Sequence, residues 1–370
     1  MSWIARAGYV LALGALTSCS KQLDQTPMVT ADACSRVALV DVSTGNLVVG
    51  AEDLAVDPAG GRLFLSAYDR RAVEKAVAKR KPLVPEGGVY EVSLEALHQS
   101  DGRLVSAKPL IDRGLVSGGL RPHGLDFDPV AGEVAFINRS FQRIDGKWLK
   151  SPRIERVSTG ELSDEAVAGV KVHTDSRKSI TPHCASNDLI SLTSGTLVSN
   201  DHGACGWRAT LEDVFSLSAA GVSGEKGKTI VSGLQYANGI TQSPTGEIAV
   251  ASTRGKKIAL FRRVGNKLSI RREVDVPGGP DNLTTAGDGS ILAAVHPSLL
   301  RFAAHRHLGF PEAPTRIVQI DPYTLEQSLV FDDKRGSTFS GATVAVKAGS
   351  KLVLGAAIEP GLLVCDLPAQ

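Results

Sequence analysis

The 370-residue chain carries 41 basic and 39 acidic side chains, a formal net charge of +2. Nothing in that balance argues for a nucleic-acid partner. With 42% apolar residues, 38 Gly and 18 Pro, the composition suits one large, turn-rich domain, and extended helical periodicity is largely absent.

In chain order, Arg6 precedes an apolar run, residues 7–16, that is too short to span a bilayer. The string Leu16-Thr17-Ser18-Cys19 reads as a lipobox. It predicts a signal peptide over 1–18, cleavage before Cys19, and lipidation of the Cys19 thiol. Ser20 after that cysteine resembles the sorting choice for an outer membrane. The expectation is an exported protein, lipid-anchored through Cys19 alone to a Gram-negative outer membrane and facing the periplasm. Residues 19–33, polar after the cysteine, read as a flexible tether. The folded domain is expected over 34–370.

From residue 34 onward one shape repeats. Residues 121–138, RPHGLDFDPVAGEVAFIN, alternate as a strand, turn through DPVAG, and alternate again. Five further stretches share that shape: EDLAVDPAGGRLFLSAY from Glu52, NDLISLTSGTLVSN from Asn187, NGITQSPTGEIAVAS from Asn238, DNLTTAGDGSILAAV from Asp281 and SGATVAVKAGSKLVLGAA from Ser340. Most open on a polar pair followed at once by Leu or Ile. Six such units at irregular offsets predict an all-β, six-bladed β-propeller whose innermost strands line a central channel. The polar pairs would then converge on one axis.

Between the units, residues 69–81 are rich in Arg and Lys and helix-compatible, and read as a solvated surface insertion. Residues 139–152 read as a second polar insertion, and 298–314 as a connection packed on the rim or closing over the channel mouth. Four cysteines follow Cys19, an even number that suggests disulfides in an exported chain. Cys34 opens the first strand and Cys365 sits in the last. A propeller that closes its ring in one blade brings them together. Cys184 and Cys205 flank one hairpin, and their pairing stays open.

Glu52, Asp53, Asn187, Asp188, Asn200, Asp281 and Asn282 stand at strand starts or ends facing that axis. Carboxylates crowded in a narrow channel are costly without compensation. A mixed Asp, Glu and Asn set without Cys and with little His suits Ca2+ rather than Zn2+. Each Asp or Asn could instead cap a turn locally.

The strings GAEDLAV, RPHGLDF, SNDLISL, VSNDHG, YANGITQSP, PDNLT and LVCDL, taken in order, resemble the serum paraoxonase/arylesterase family. The resemblance runs from Cys34 to Cys365. It implies a six-bladed propeller with two calcium ions per chain and a calcium-dependent hydrolase of lactones and aryl esters. By this resemblance Glu52, Asn187, Asn200, Asp281 and Asn282 hold a catalytic ion. Asp53, Asp188 and the main-chain carbonyl of Leu125 hold a deeper, structural one. His123 matches the family's histidine beside the catalytic ion, and Cys34–Cys365 matches its disulfide. His123 or Asp281 is expected as the base that activates water on a metal-polarised carbonyl. Where mammalian members place a second histidine this chain has Arg139, which stays protonated and cannot be a base. Arg139 is instead a candidate for binding a substrate carboxylate or an oxyanion. No GxSxG elbow is present, which argues against a serine hydrolase. Two other readings stand beside this one: a sugar lactonase of the gluconolactonase/regucalcin type, and a non-enzymatic propeller that calcium only staples.

Overall fold

The computed structural model describes residues 23, 25–100, 102–116, 118–160, 180–265 and 267–368. The leader and Cys19 lie outside the described residues.

The described residues form six antiparallel blades in a ring, as the repeat predicts. The inner strands are Ala51–Asp57, Pro122–Asp128, Ser186–Ile190, Ala237–Gln242, Gly279–Thr285 and Val344–Ala348. Each starts one of the sequence units or lies just inside it. Neighbouring inner strands touch in cyclic order, and the sixth touches the first. Each blade then steps outward through hairpins, as in Ala237–Gln242, Ile248–Ser252, Lys257–Val264 and Lys267–Asp275. Second strands such as Ile291–His296 are buried along their whole length, because they pack against blades on both faces.

The ring closes in the sixth blade. Cys34–Val37 pairs antiparallel with Leu362–Asp366, Cys34 stands opposite Cys365, and the two are disulfide-bonded. The run expected as one strand from Cys34 divides at Ala38. Leu39–Asp41 crosses to the first blade and lies parallel to Val105–Pro109. The segment expected as a tether up to residue 33 is docked over its last part. Val29 is buried and bridges Phe331, and Gln25 bonds Gln327 and Leu329. An apolar slot on the fifth blade takes Val29, which a polar reading of 20–33 passes over.

In five inner strands the register slips at the polar pair itself, between Ala51 and Asp53, Pro122 and Leu125, Ser186 and Leu189, Ala237 and Ile240, and Pro280 and Leu283. A bulge turns successive side chains away from strict alternation. It places the first and second members of each pair at different depths along the axis. Close approach of these bulges requires glycine. A Cβ on Gly239 would lie 2.5 Å from the Asp281 carbonyl and 2.6 Å from the Asn282 Cα. Gly239→Ala should therefore destabilise the fold by about 3 kcal/mol, the scale of overpacking in a rigid core. Denaturant midpoints of wild type and variant check this.

Among the described residues four α-helices interrupt the strands: α1 Arg70–Ala78, α2 Leu94–His98, α3 Trp207–Phe215 and α4 Leu299–Leu308. Helix α1 corrects the expectation of a solvated insertion. Asp69 caps its N-terminus through Ala72 N, and Arg70, Val73 and Ala76 are buried. Lys75 is exposed and Arg71 half-buried, while the face that carries Arg70 packs down on the ring. Residues 298–314 contain helix α4, capped by Ser298 and ended by Gly309 in the left-handed region. Residues 139–152 are a hairpin, Phe141–Ile144 with Lys147–Lys150.

Candidate active site on the propeller axis

A cavity of about 380 Å³ opens at one end of the axis. Its floor holds the first members of five polar pairs, Glu52, His123, Asn187, Asn238 and Asp281, joined by Thr343 from the sixth blade. Helices α1 and α4 form part of its wall through Arg70, Leu299, Phe302 and Arg306. Asn282 and Asn200 are buried but do not line it.

The amides at this end share one orientation. Asn187 donates its Nδ2 to Asp201 Oδ1 at 2.5 Å. Asn200 donates to Ser223 Oγ at 3.1 Å. Asn282 donates to the Glu52 carbonyl at 2.9 Å, and Asn238 donates to Asp281 Oδ1. The Oδ1 atoms of all four are buried and have no hydrogen-bond partner among the described residues. A buried acceptor left unbonded costs about 1–3 kcal/mol. Four together approach the roughly 5–15 kcal/mol net stability of a whole domain. A hard cation accepting amide and carboxylate oxygens removes that cost, so this donor set fits Ca2+. It is short of clustered acids. The one group of three His, Cys, Asp or Glu ligand atoms within 4.8 Å among the described residues is His183, Cys184 and Cys205, off the axis. There Cys184 and Cys205 are disulfide-bonded to each other, which settles the pairing left open by sequence.

The acids at the floor are held differently. Burial would raise the Glu52 carboxyl, but the facing His123, Arg70 and Arg139 bring it down to about 2. Its Oε2 lies 2.7 Å from His123 Nδ1 and 3.4 Å from Arg70 Nη2. Arg70 Nη2 also lies 2.7 Å from His123 Nδ1. Burial and the nearby Arg139 push the His123 imidazolium well below its usual value, so the ring is neutral at neutral pH. Nδ1 lies between Glu52 Oε2, which can only accept, and Arg70 Nη2, which can only donate, so the ring's tautomer depends on which of the two it bonds; Nε2 is buried and unpartnered among the described residues. Asp281 Oδ2 meets His296 Nε2 at 2.7 Å, and His296 stacks on Phe302 of α4 with ring centroids 3.8 Å apart.

Deeper along the axis lie Asp53 and Asp188. Burial, and for Asp53 the charges of Asp188 and Glu52, push both carboxyls well above their usual range. Each also ties two blades. Asp53 accepts from Leu54 N and, at 2.8 Å, Leu125 N. Asp188 accepts from Leu189 N and, at 2.9 Å, Ile240 N. Leu125 thus meets this pair through its N–H.

The structure brings Glu52, His123, Asn187, Asn200, Asp281 and Asn282 to one end of the axis, and Asp53 and Asp188 beneath them. Arg139 lines the same cavity. Sequence reasoning missed Asn238, Arg70 and Asp201 as members of this network. Asn238 was findable, since it is the first member of its polar pair, in phase with Glu52, Asn187 and Asp281. Arg70 carries no such signal, because it enters on a helix outside the repeat.

A model of the arylesterase family matches residues 208–367, less than half of the chain. No curated protein matches. Similar solved structures include a putative gluconolactonase at 12% identity, covering 92% of this chain and 97% of that one with a TM-score of 0.49. A virginiamycin B lyase from Staphylococcus aureus is 11% identical over 90% of this chain and 100% of that one, TM-score 0.46. A PQQ-bound aldose sugar dehydrogenase from Streptomyces coelicolor is 10% identical over 86% and 97%, TM-score 0.49. Likenesses this remote carry nothing about activity. The family match over the last blades is what supports a propeller of the hydrolase type.

Proposed function

We propose that the protein hydrolyses carboxylic esters and lactones with the help of resident Ca2+. The observation that carries this reading is the set of four buried amide oxygens left unbonded around Glu52 and Asp281. Glu52, Asn187, Asn200, Asp281 and Asn282 would hold the ion, with Asn238 added from the structure. Asp53, Asp188 and the Leu125 carbonyl would hold a second, structural ion. When bound, the upper ion supplies Lewis acidity toward a carbonyl oxygen.

His123 supplies the proton chemistry. In the tautomer whose Nδ1–H donates to Glu52, the neutral Nε2 takes a proton from water as the water oxygen bonds to the acyl carbon. The bond from that carbon to the leaving alcohol oxygen breaks, and the proton passes from Nε2 to the departing alkoxide. Glu52 orients the ring through Nδ1. Asp281 is less suited to be the base, because Asn238 and His296 already engage its two oxygens. The cavity walls exclude bulk water on the sides of α1 and α4 and shape the entry.

His123→Gln should lower kcat on phenyl acetate and on a δ-lactone by on the order of 10²–10⁴-fold, with bound metal unchanged. Full activity in that variant would move the base elsewhere. A second reading has support of its own: Asp53 and Asp188 act as blade staples whatever the chemistry above them. A calcium-stapled binding protein would hold metal yet hydrolyse nothing in a broad ester and lactone panel. A sugar lactonase would favour aldonolactones in the same panel.

A further inference from the structure

The cavity that holds the axial site also holds guanidinium donors that the fold leaves unspent. Three other arginines spend their donors within the fold. Arg121 gives Nε, Nη1 and Nη2 to three carbonyls, each at 2.8 Å. Arg316 grips both oxygens of Asp332 at 3.0 and 3.1 Å. Arg254, on the cavity wall, gives Nη1 to the Asp213 carbonyl and Nη2 to its carboxylate.

Arg139 is different. It follows Asn138 at the end of the second strand of its blade, with its side chain 17% exposed. Its guanidinium meets one partner among the described residues, Asp201 Oδ2, at 3.4 Å through Nη2. Asp201 is meanwhile committed to Asn187. Nε and Nη1 of Arg139 remain available on the cavity wall. Arg306 of α4 spends Nε and Nη2 on Glu74 and keeps Nη1. Arg70 Nε is buried without a partner among the described residues. Arg139, Arg306 and Tyr236 line the same cavity.

A planar cation fork, mostly desolvated and holding one long contact to a carboxylate, is the recognition element for a further carboxylate. Apolar acyl chains would leave these donors desolvated and unmet, which selects against them. We propose that the substrates are esters or lactones bearing a free carboxylate, which Arg139 grips at the cavity wall with Arg306 beside it while the scissile carbonyl faces the axis. This rests on the hydrolase reading for the second half of that statement, and on the arginine geometry for the first.

Two measurements on the metal-loaded full chain separate the halves. The first compares kcat/KM for monophenyl glutarate and phenyl acetate. The anionic ester should be preferred about tenfold or more, the scale of a charge-assisted bidentate contact, and Arg139→Gln should collapse that ratio mainly through the KM of the anionic ester. Arg139→Lys, which keeps the charge but loses the fork, should fall between. The second titrates glutarate by calorimetry, and Arg139→Gln should weaken its binding by about tenfold. Glutarate that binds both proteins equally sits on the metal alone and overturns the proposal. So does an anionic-to-neutral ratio that is near unity or survives the substitution. If glutarate binding depends on Arg139 but no ester or lactone is cleaved, the anion site stands and the hydrolase reading falls. Should Arg139→Gln unfold, Arg139→Lys is titrated in its place, and glutarate binding unchanged from wild type overturns the proposal.

Discussion

Stripping divalent metal with EDTA should lower ester and lactone hydrolysis by at least on the order of 10²–10³-fold, the scale of losing one preorganised electrophilic contact. Readdition of Ca2+ should restore it. Asn238→Ala and Asn282→Ala should show the same loss at low Ca2+ and recover in part at high Ca2+, because each removes one oxygen from the set. The physical basis is the shared orientation of the amides. Their nitrogens are anchored to Asp281 and the Glu52 carbonyl, so their oxygens are fixed where a cation is needed. Ester hydrolysis that persists after metal analysis shows less than one-tenth of an equivalent of bound ion would end the calcium reading. Hydrolysis lost with metal but not restored by Ca2+ would point to another ion.

Breaking the Cys34–Cys365 bond should give the largest loss of stability of any single covalent change. The bond spans 331 residues of sequence. On the chain-entropy account a loop of that length is worth about 5–6 kcal/mol, since its closure no longer has to be found by the unfolded chain. The Cys34→Ser/Cys365→Ser double variant should therefore melt roughly 5–10 °C below wild type in calorimetry. Cys184→Ser/Cys205→Ser closes a loop of only 21 residues and should lose less. Equal shifts for the two pairs would show that ring closure is held by the strand pairing of Cys34–Val37 alone.

These two expectations differ in how they became visible. The disulfide follows from the repeat: six hairpins of period two make a ring, and a ring must join its ends. Glu52, Asn187 and Asp281 were legible for the same reason, each the first member of its unit's polar pair, and Asn282 as the second member of one. Asn200 ends a second strand and, like Asn282, is buried outside the cavity lining. Helix α4 hid because 298–314 mixes apolar and basic residues without a clear stripe. Its cap at Ser298 and its Phe302 stack on His296 are contacts made only in the folded ring.

By itself the amino-acid order determined the strand pattern, the blade number, the closing disulfide and most of the polar residues on the axis. Those are consequences of alternation and spacing, which act over a few residues and repeat. Only the tertiary structure decided which amide oxygens stay unbonded, that Arg70 drops from α1 onto His123 across 53 positions, and that Arg139 keeps donors to spare. Such facts depend on which partners meet after the chain closes on itself, and hydrogen-bond satisfaction is a property of that whole arrangement rather than of any stretch within it.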